Sequence, residues 1–315
     1  MKPKVVIVLG PTAVGKSEVA LALAESLNGE IINADSQQVY RYMDIGTGKL
    51  SMGERERVPH HLIDIVDPDG EFNAAQFRRL ASEAIREISE RKRNVIVCGG
   101  TGLYLKALTQ GLFEGPGQDP AIRRALESEI AERGLASLYR RLENIDPTVS
   151  SSIHPNDRQR VIRALEIYQL TGKPLSQWQG AHGFQENPFA VRAIGLNRER
   201  AELYDFINRR SEEMVRDGFL EEVRGLVHRG FGPELKPLQS VGYRQMVAVL
   251  EGRLTMAEGL AEMRQETRRL AKRQLTWFRR DETIQWFHPE RQLRQICETV
   301  SEFLDQHPTN SEPAR

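Results

Sequence analysis

Residues 10 to 17 read Gly10-Pro11-Thr12-Ala13-Val14-Gly15-Lys16-Ser17, which fits G-x-x-x-x-G-K-[ST] at every specified position. The two glycines let backbone N–H groups turn inward around a polyphosphate, and the start of a following helix adds its positive dipole end. Lys16 supplies a point charge, and the Ser17 hydroxyl can ligate Mg²⁺. A merely tight turn would not need the Lys-Ser pair. The loop indicates a polyphosphate more strongly than it indicates ATP. A nucleotide kinase normally also shows an apolar strand ending on a magnesium-binding Asp. The candidates here are Ile63 to Asp67, which then meets Pro68, and Val95 to Cys98, which ends on glycines. Neither fits well.

A second constellation is Asp35-Ser36-Gln37-Gln38. These types are common helix caps. A carboxylate beside two glutamines in a ligand crevice also suggests base recognition, because a carboxamide pairs with the amino group and ring nitrogen of adenine.

The elements that must position these residues are legible. Val5 to Leu9 is a short β-branched run, the pattern of a strand buried on both faces, and Ser17 to Leu27 is helical. Glu30 to Ala34, Leu62 to Val66 and Asn94 to Cys98 read as further strands, with a helix from Ala74 to Arg91. Alternation of this kind predicts an α/β fold, a P-loop-type parallel sheet flanked by helices. From Pro120 to about Trp178 only helical periodicity remains, with starts at Asp119 and Asp157 and stops at Gly134 and Gly172. Ala190 to Leu196 is a strand again, and the chain then reads as helical to about Leu304. The expected organisation is a discontinuous core, residues 1–115 and 190–305, an all-helical insertion, 116–189, and a flexible tail, 306–315.

The 315 residues carry 44 basic and 44 acidic side chains, a neutral sum that by itself argues mildly for a small-molecule enzyme. Locally the sum fails. Arg264 to Arg280 holds seven basic residues, Arg268, Lys272 and Arg273 among them, against Glu266 alone. Trp277 and Phe278 are interleaved, which suits backbone neutralisation beside stacking on unpaired bases. No apolar run approaches the ~20 residues of a spanning helix, and the N-terminus lacks a signal-peptide core, so a cytoplasmic protein without a membrane partner is expected. Cys98 and Cys297 match no metal spacing. His60 and His61 lack a partner cluster, and the methionines read as packing residues.

Taken together, these motifs resemble the tRNA dimethylallyltransferases, also called isopentenyl-diphosphate:tRNA transferases. The matching stretches are Gly10–Ser17, Ala34–Tyr40, Asp44–Lys49, His60–Asp64, Gly99–Tyr104, Asn156–Arg163, Gly242–Gln245 and Thr267–Trp277. They run from about residue 5 to residue 280 in the family's order and spacing. One departure is Glu71-Phe72-Asn73, where the family has an aromatic followed by serine.

The resemblance implies transfer of a dimethylallyl group from its diphosphate to N6 of the adenosine 3′ of the anticodon in tRNA, with Mg²⁺ as cofactor. Asp35 would be the base and Thr101 would hold the amine. Arg210, with Arg209 as rival, would stabilise the leaving diphosphate. The diphosphate would lie on Gly10, Thr12, Ala13, Val14, Gly15, Lys16 and Ser17. The anticodon stem-loop would meet Asp35, Ser36, Gln37, Gln38 and Thr101, then Arg123, Gln159, Arg160, Val161, Ile162 and Arg163 of the insertion. Gly242, Tyr243, Arg244, Gln245, Arg268, Lys272 and Arg273 would complete that surface. A monomer is expected. Three alternatives stay open on sequence: a small-molecule P-loop kinase, an adenylate isopentenyltransferase acting on a free nucleotide, and a non-catalytic RNA-binding adaptor.

Overall fold

In the first strand, alternate side chains enter two different cores. Val6 and Val8 join Ile31, Ile96, Cys98, Ile194 and Leu196 in one apolar cluster, while Val5, Ile7 and Leu9 join Ile32, Val95 and Val97 in the other. Each fully buried residue of this kind contributes about 1.5–3 kcal/mol. The computed structural model describes residues 2–113, 115–183 and 186–306. Its strands are β1 (Lys4–Leu9), β2 (Gly29–Asn33), β3 (His60–His61), β4 (Asn94–Gly99), β5 (Ala190–Leu196) and β6 (Gln285–Phe287). They form one sheet in the order β3-β2-β4-β1-β5-β6, and every pair is parallel. Helix Lys16–Ser26 contributes Val19, Ala20 and Leu23 to the first cluster, and helix Ala74–Glu90 contributes Phe77, Ala81, Ile85 and Ile88 to the second.

Because the strands are parallel, the loops after β2, β4 and β1, three neighbours in the sheet, leave from the same edge. These loops carry Asp35, Thr101 and Gly10–Ser17.

Two strands depart from the sequence reading. Leu62 to Val66 is not a strand. The ladder ends at His61, Leu62 and Asp64 take left-handed backbone (φ 61° and 56°), and only Val66 returns, through one bridge to Tyr40. The Asp64 carboxylate lies 2.5 Å from Lys49 Nζ and 2.7 Å from Arg55, and the Lys49 side chain is 1% exposed. Lys49 and Arg55 thereby hold Asp64 in the turn, against a left-handed cost of about 1–2 kcal/mol per residue. The second departure is β6, three residues in a stretch read as helical. At Asn73, the departure from the family pattern is chemically silent: the side chain accepts from the Ala75 and Gln76 amides in a capping box, as serine would.

The chain divides into two compact units, residues 1–109 with 188–315, and 110–187. The helical unit therefore begins six residues before, and ends two before, the boundaries expected from sequence. The tail from His307 lies outside the described residues. Asp119 and Asp157 cap helices Pro120–Arg133 and Arg158–Thr171 of the helical unit as expected. A core of Leu126, Leu138, Leu142, Val161, Ile162, Leu165 and Ile167 holds its helices together.

Within that core Glu166 is fully buried. Its carboxylate accepts from Arg123 (2.9 and 3.1 Å), Arg163 (2.7 Å) and the Asp119 amide (2.8 Å). Burial pushes the Glu166 carboxyl up, but the hydrogen bonds from Arg123 and Arg163 hold it below the ordinary value. Its contribution is therefore in place at neutral pH and is lost as pH falls through that depressed value. Glu166→Ala leaves Arg123 without its carboxylate and Arg163 with only the Pro116 and Gly117 carbonyls, and is expected to destabilise the helical unit by about 1–3 kcal/mol in urea unfolding. A change below about 0.5 kcal/mol would contradict the pairing.

Candidate active site

The phosphate loop is shaped as its sequence requires. Ala13 and Gly15 take left-handed backbone (φ 63° and 101°), and no side chain caps the N-terminus of helix Lys16–Ser26, so its first amides remain available to an anion. Lys16 Nζ donates to the Pro11 carbonyl at 2.8 Å. Burial lowers the Lys16 ammonium below its ordinary value, with Cys98 and Asp35 opposing and Arg210 reinforcing the shift. Burial also lowers the Arg210 guanidinium, against Glu18 and Asp35. Two partly desolvated cations with few compensating charges make a site suited to a polyanion.

This loop lines a cavity of about 600 Å³ together with Asp35, Gln38, Thr47, Gly48, Phe206, Arg209 and Arg210. A second cavity, about 460 Å³, is lined by Ser36, Gln37, Thr101, Arg244, Leu270, Arg273 and Gln274. Thr12, Ala13, Asp35, Thr47 and Arg210 line both. Asp35 thus stands in the wall between a phosphate cavity and a neighbouring one.

The residues of the loops after β2 and β4 are held by local hydrogen bonds. Asp35 Oδ1 accepts the Gln37 amide at 2.8 Å, and Asp35 donates its own amide to Asn33 Oδ1 at 3.2 Å. Thr101 Oγ1 accepts the Ser36 amide at 3.0 Å, which ties the β4 loop to the β2 loop. The two glutamines separate in role. Gln38 Nε2 donates to the Thr47 and Gly48 carbonyls, both at 3.3 Å. Gln37 lines the second cavity, and its Oε1 is buried without a hydrogen-bond partner, an acceptor suited to an adenine amino group.

Arg210 and Arg209 also separate. Arg210 reaches the Thr47 carbonyl at 3.5 Å and lies so close to Gly48 that a Cβ there would come within 1.7 Å of its guanidinium. Glycine at 48 is a clearance for that arginine. Arg209 is exposed, stacked on Phe206 at 4.4 Å, with Glu213 at 3.9 Å.

Several residues expected to meet RNA are largely buried, Tyr243 among them where it lines the second cavity. Tyr243 is 1% exposed, stacked edge-on to Phe219, and donates its hydroxyl to Glu222 at 2.6 Å; Gln245 is 3% exposed and accepts the Gly242 amide. Val161 and Ile162 are core residues of the helical unit. In both motifs the apolar or capping positions build the helix that presents the others. Gln159 and Arg160 are exposed, whereas Arg123 and Arg163 bind Glu166, and Arg163 also binds the Pro116 and Gly117 carbonyls. On the basic helix Met256–Phe278, Lys272 and Arg273 are exposed. Arg268 donates to Asn208 and lies over Tyr204, and Arg244 pairs with Glu266.

Sequence reasoning missed three supports. Arg198, 5% exposed, donates to the Val14 carbonyl at 3.1 Å and to Glu202 and Glu290, so it braces the phosphate loop. Glu222 gathers the amides of Asp44, Ile45 and Gly46. With Lys49, which donates to the Tyr40 carbonyl and pairs with Asp44 and Asp64, it fixes the segment against which Gln38 and Arg210 rest. The third is Gln274. The motif Asp44–Lys49 was visible in the sequence, but without a role.

Cys98 is buried beside the loop, and burial pushes its thiol up to about 12, so it is core filler and not a nucleophile. His61 binds Glu30 at 2.7 Å and His60 the Val58 carbonyl at 2.7 Å, structural roles as expected.

The lowered Lys16 gives a pH dependence. Anion affinity is full while Lys16 is charged and falls as pH rises through its depressed value, below the ~10.4 of an ordinary lysine. Calorimetric titration with inorganic pyrophosphate across the alkaline range checks this; affinity constant up to that ordinary value would contradict it.

Comparison with known proteins finds relatives along most of the chain. The family model described as IPP transferase matches residues 38–281. A tRNA dimethylallyltransferase of Geobacter metallireducens is 50% identical over 302 residues, covering 96% of this chain and 98% of its own. The full-length tRNA isopentenylpyrophosphate transferase of Bacillus halodurans is 41% identical, with a TM-score of 0.72 and coverage of 96% and 97%. A eukaryotic dimethylallyltransferase solved acting on tRNA is 28% identical, with a TM-score of 0.78, covering 98% of this chain and 81% of that one. Matched by the family model over residues 38–281 and 50% identical along 96% of its length to such an enzyme, the chain belongs to the IPP transferase family.

Proposed function

We propose that the protein transfers the dimethylallyl group of dimethylallyl diphosphate to N6 of the adenosine 3′-adjacent to the anticodon of tRNA, releasing pyrophosphate, and that it acts as a monomer. The observation that carries this reading is the position of Asp35, with Thr12 and Arg210, in the wall common to the two cavities.

The diphosphate occupies the cavity of the phosphate loop, where its oxygens meet the loop amides, Lys16 and Arg210. The adenine enters the second cavity from outside its stack, because N6 of a stacked base is not open to in-line attack. The Gln37 acceptor, Ser36 and the Thr101 hydroxyl hold its amino edge. The N6 lone pair is delocalised into the ring, so attack develops only as a proton is removed, and Asp35 takes it. The C–N bond forms as the C–O bond breaks, and the bonding pair leaves with pyrophosphate. Lys16 and Arg210 stabilise the charge that gathers there.

Mg²⁺ fits as a companion of the donor. Ser17 offers one hydroxyl in the phosphate cavity, and among the described residues no group of three or more His, Cys, Asp or Glu could hold a metal. Bound there with the diphosphate, the ion would neutralise leaving-group charge.

A kinase reading loses its magnesium carboxylates: Asp64 is held by Lys49 and Arg55, and Asp67 by Arg41 at 3.1 Å. An acceptor the size of a free nucleotide would leave the exposed Lys272 and Arg273 unused, and an adaptor without chemistry would not need a carboxylate between two cavities. Among the described residues no helix is long and apolar enough to cross a membrane.

The test incubates the protein with unmodified tRNA, dimethylallyl diphosphate and Mg²⁺ and weighs the digested nucleosides. A dimethylallyl adduct on adenosine is the expected product. ADP formed from ATP with a small acceptor, and no adduct, would overturn the reading.

A further inference from the structure

Gln274 lies on the basic helix Met256–Phe278, half-buried, and its carboxamide reaches both strand-end loops of the site. Its Oε1 accepts the Thr12 amide of the phosphate loop at 2.8 Å, and its Nε2 donates to the Gly100 carbonyl at 3.0 Å. The orientation of the amide follows from its partners, since Thr12 offers only an N–H and Gly100 only a C=O at these atoms. Gly100 leaves room for the contact: a Cβ there would lie 2.4 Å from Gln274 Nε2.

The neighbours on the helix extend the same contact. Trp277, one turn on, fits against Gly102, where a Cβ would lie 2.3 Å from the indole nitrogen. Arg273 lines the second cavity, and Lys272 is exposed beside it. Thr12 belongs to both cavities, and Gly100 directly precedes Thr101. One side chain therefore bridges the loop that carries Lys16 and the loop that carries Thr101.

We propose that Gln274 is a positioning residue that couples RNA engagement of the basic helix to the phosphate loop, and so sets the approach of the acceptor nitrogen to the donor carbon. This rests on the transfer reading above. The role needs a neutral side chain that accepts at one end and donates at the other, across one fixed distance. Glutamate accepts at both ends when ionised and regains a donor only when protonated, and methionine has the length without either function.

The decisive experiment combines kinetics with a readout that needs no turnover. At saturating substrates, Gln274→Met is expected to lower kcat roughly 10- to 100-fold, the cost of an ångström-scale misplacement, with KM for donor and for tRNA within about threefold of the original. Gln274→Glu is expected to show the same defect at alkaline pH, and its rate relative to the unmutated protein is expected to rise as pH falls and the carboxyl regains its proton. By amide hydrogen exchange, an anticodon stem-loop RNA is expected to slow exchange in the Gly10–Ser17 segment of the unmutated protein but not of Gln274→Met. An unchanged kcat, raised KM values with normal kcat, a Glu-variant ratio flat with pH, or equal exchange protection in both proteins would each overturn the proposal. If the unmutated protein transfers no prenyl group while the exchange difference persists, the transfer reading fails and the coupling stands.

Discussion

Asp35→Asn is expected to lower the rate of transfer by roughly 10²–10⁴-fold, the usual contribution of a positioned general base, with donor affinity retained or modestly raised. The asparagine keeps an oxygen for the Gln37 amide, whose bond to Asp35 Oδ1 shapes the turn, so the loop persists and only the proton acceptor is lost. The sign for donor binding follows from charge. Lys16 and Arg210 both count Asp35 among the anions that offset their burial. Removing that carboxylate leaves the two cations more dependent on the diphosphate. Asp35→Ala is expected to abolish turnover, because the turn is weakened in addition to the loss of the proton acceptor. Single-turnover assays beside equilibrium binding of the donor separate the two effects, and transfer by Asp35→Asn near the unmutated rate would remove Asp35 from the chemistry.

The second large effect distinguishes the two adjacent arginines. Arg210→Ala is expected to reduce kcat/KM for the donor by about 10²–10³-fold, the loss typical of one donor aimed at developing charge. Arg209→Ala, which removes an exposed guanidinium stacked on Phe206, is expected to change it by less than about threefold. Arg210→Lys should recover only part of the loss, because a point charge does not reproduce the planar fork. Both arginines line the phosphate cavity, so equal losses in the two alanine variants would refute the assignment drawn from Gly48 and Thr47.

How much of this was written visibly in the sequence depended on range. The phosphate loop, the strands at Val5 and Asn94 and the helix caps Asp119 and Asp157 are local patterns, and they folded where local rules place them. Leu62 to Val66 failed because an apolar run around one aspartate does not reveal that Asp64 turns back to Lys49 and Arg55. β6 has three residues, too few for a period to register. Tyr243, Gln245, Val161 and Ile162 carry family motifs, yet a motif does not say which of its members face inward. Arg198 and Gln274 act across 184 and 262 positions of sequence, at the Val14 carbonyl and the Thr12 amide. A lone arginine, or one glutamine inside a basic run, carries no local sign of such a bond.

The proposed transfer is a single in-line displacement across the wall shared by the two cavities, with no covalent prenyl-enzyme on the way. The neighbouring cysteine, Cys98, is buried, its thiol pushed up to about 12, and Asp35 is the proposed base. The most direct test uses donor made chiral by deuterium at the carbon attached to the diphosphate, followed by determination of configuration in the prenylated adenosine. One displacement predicts inversion at that carbon. Retention would require two displacements and an enzyme-bound intermediate, and would contradict the account.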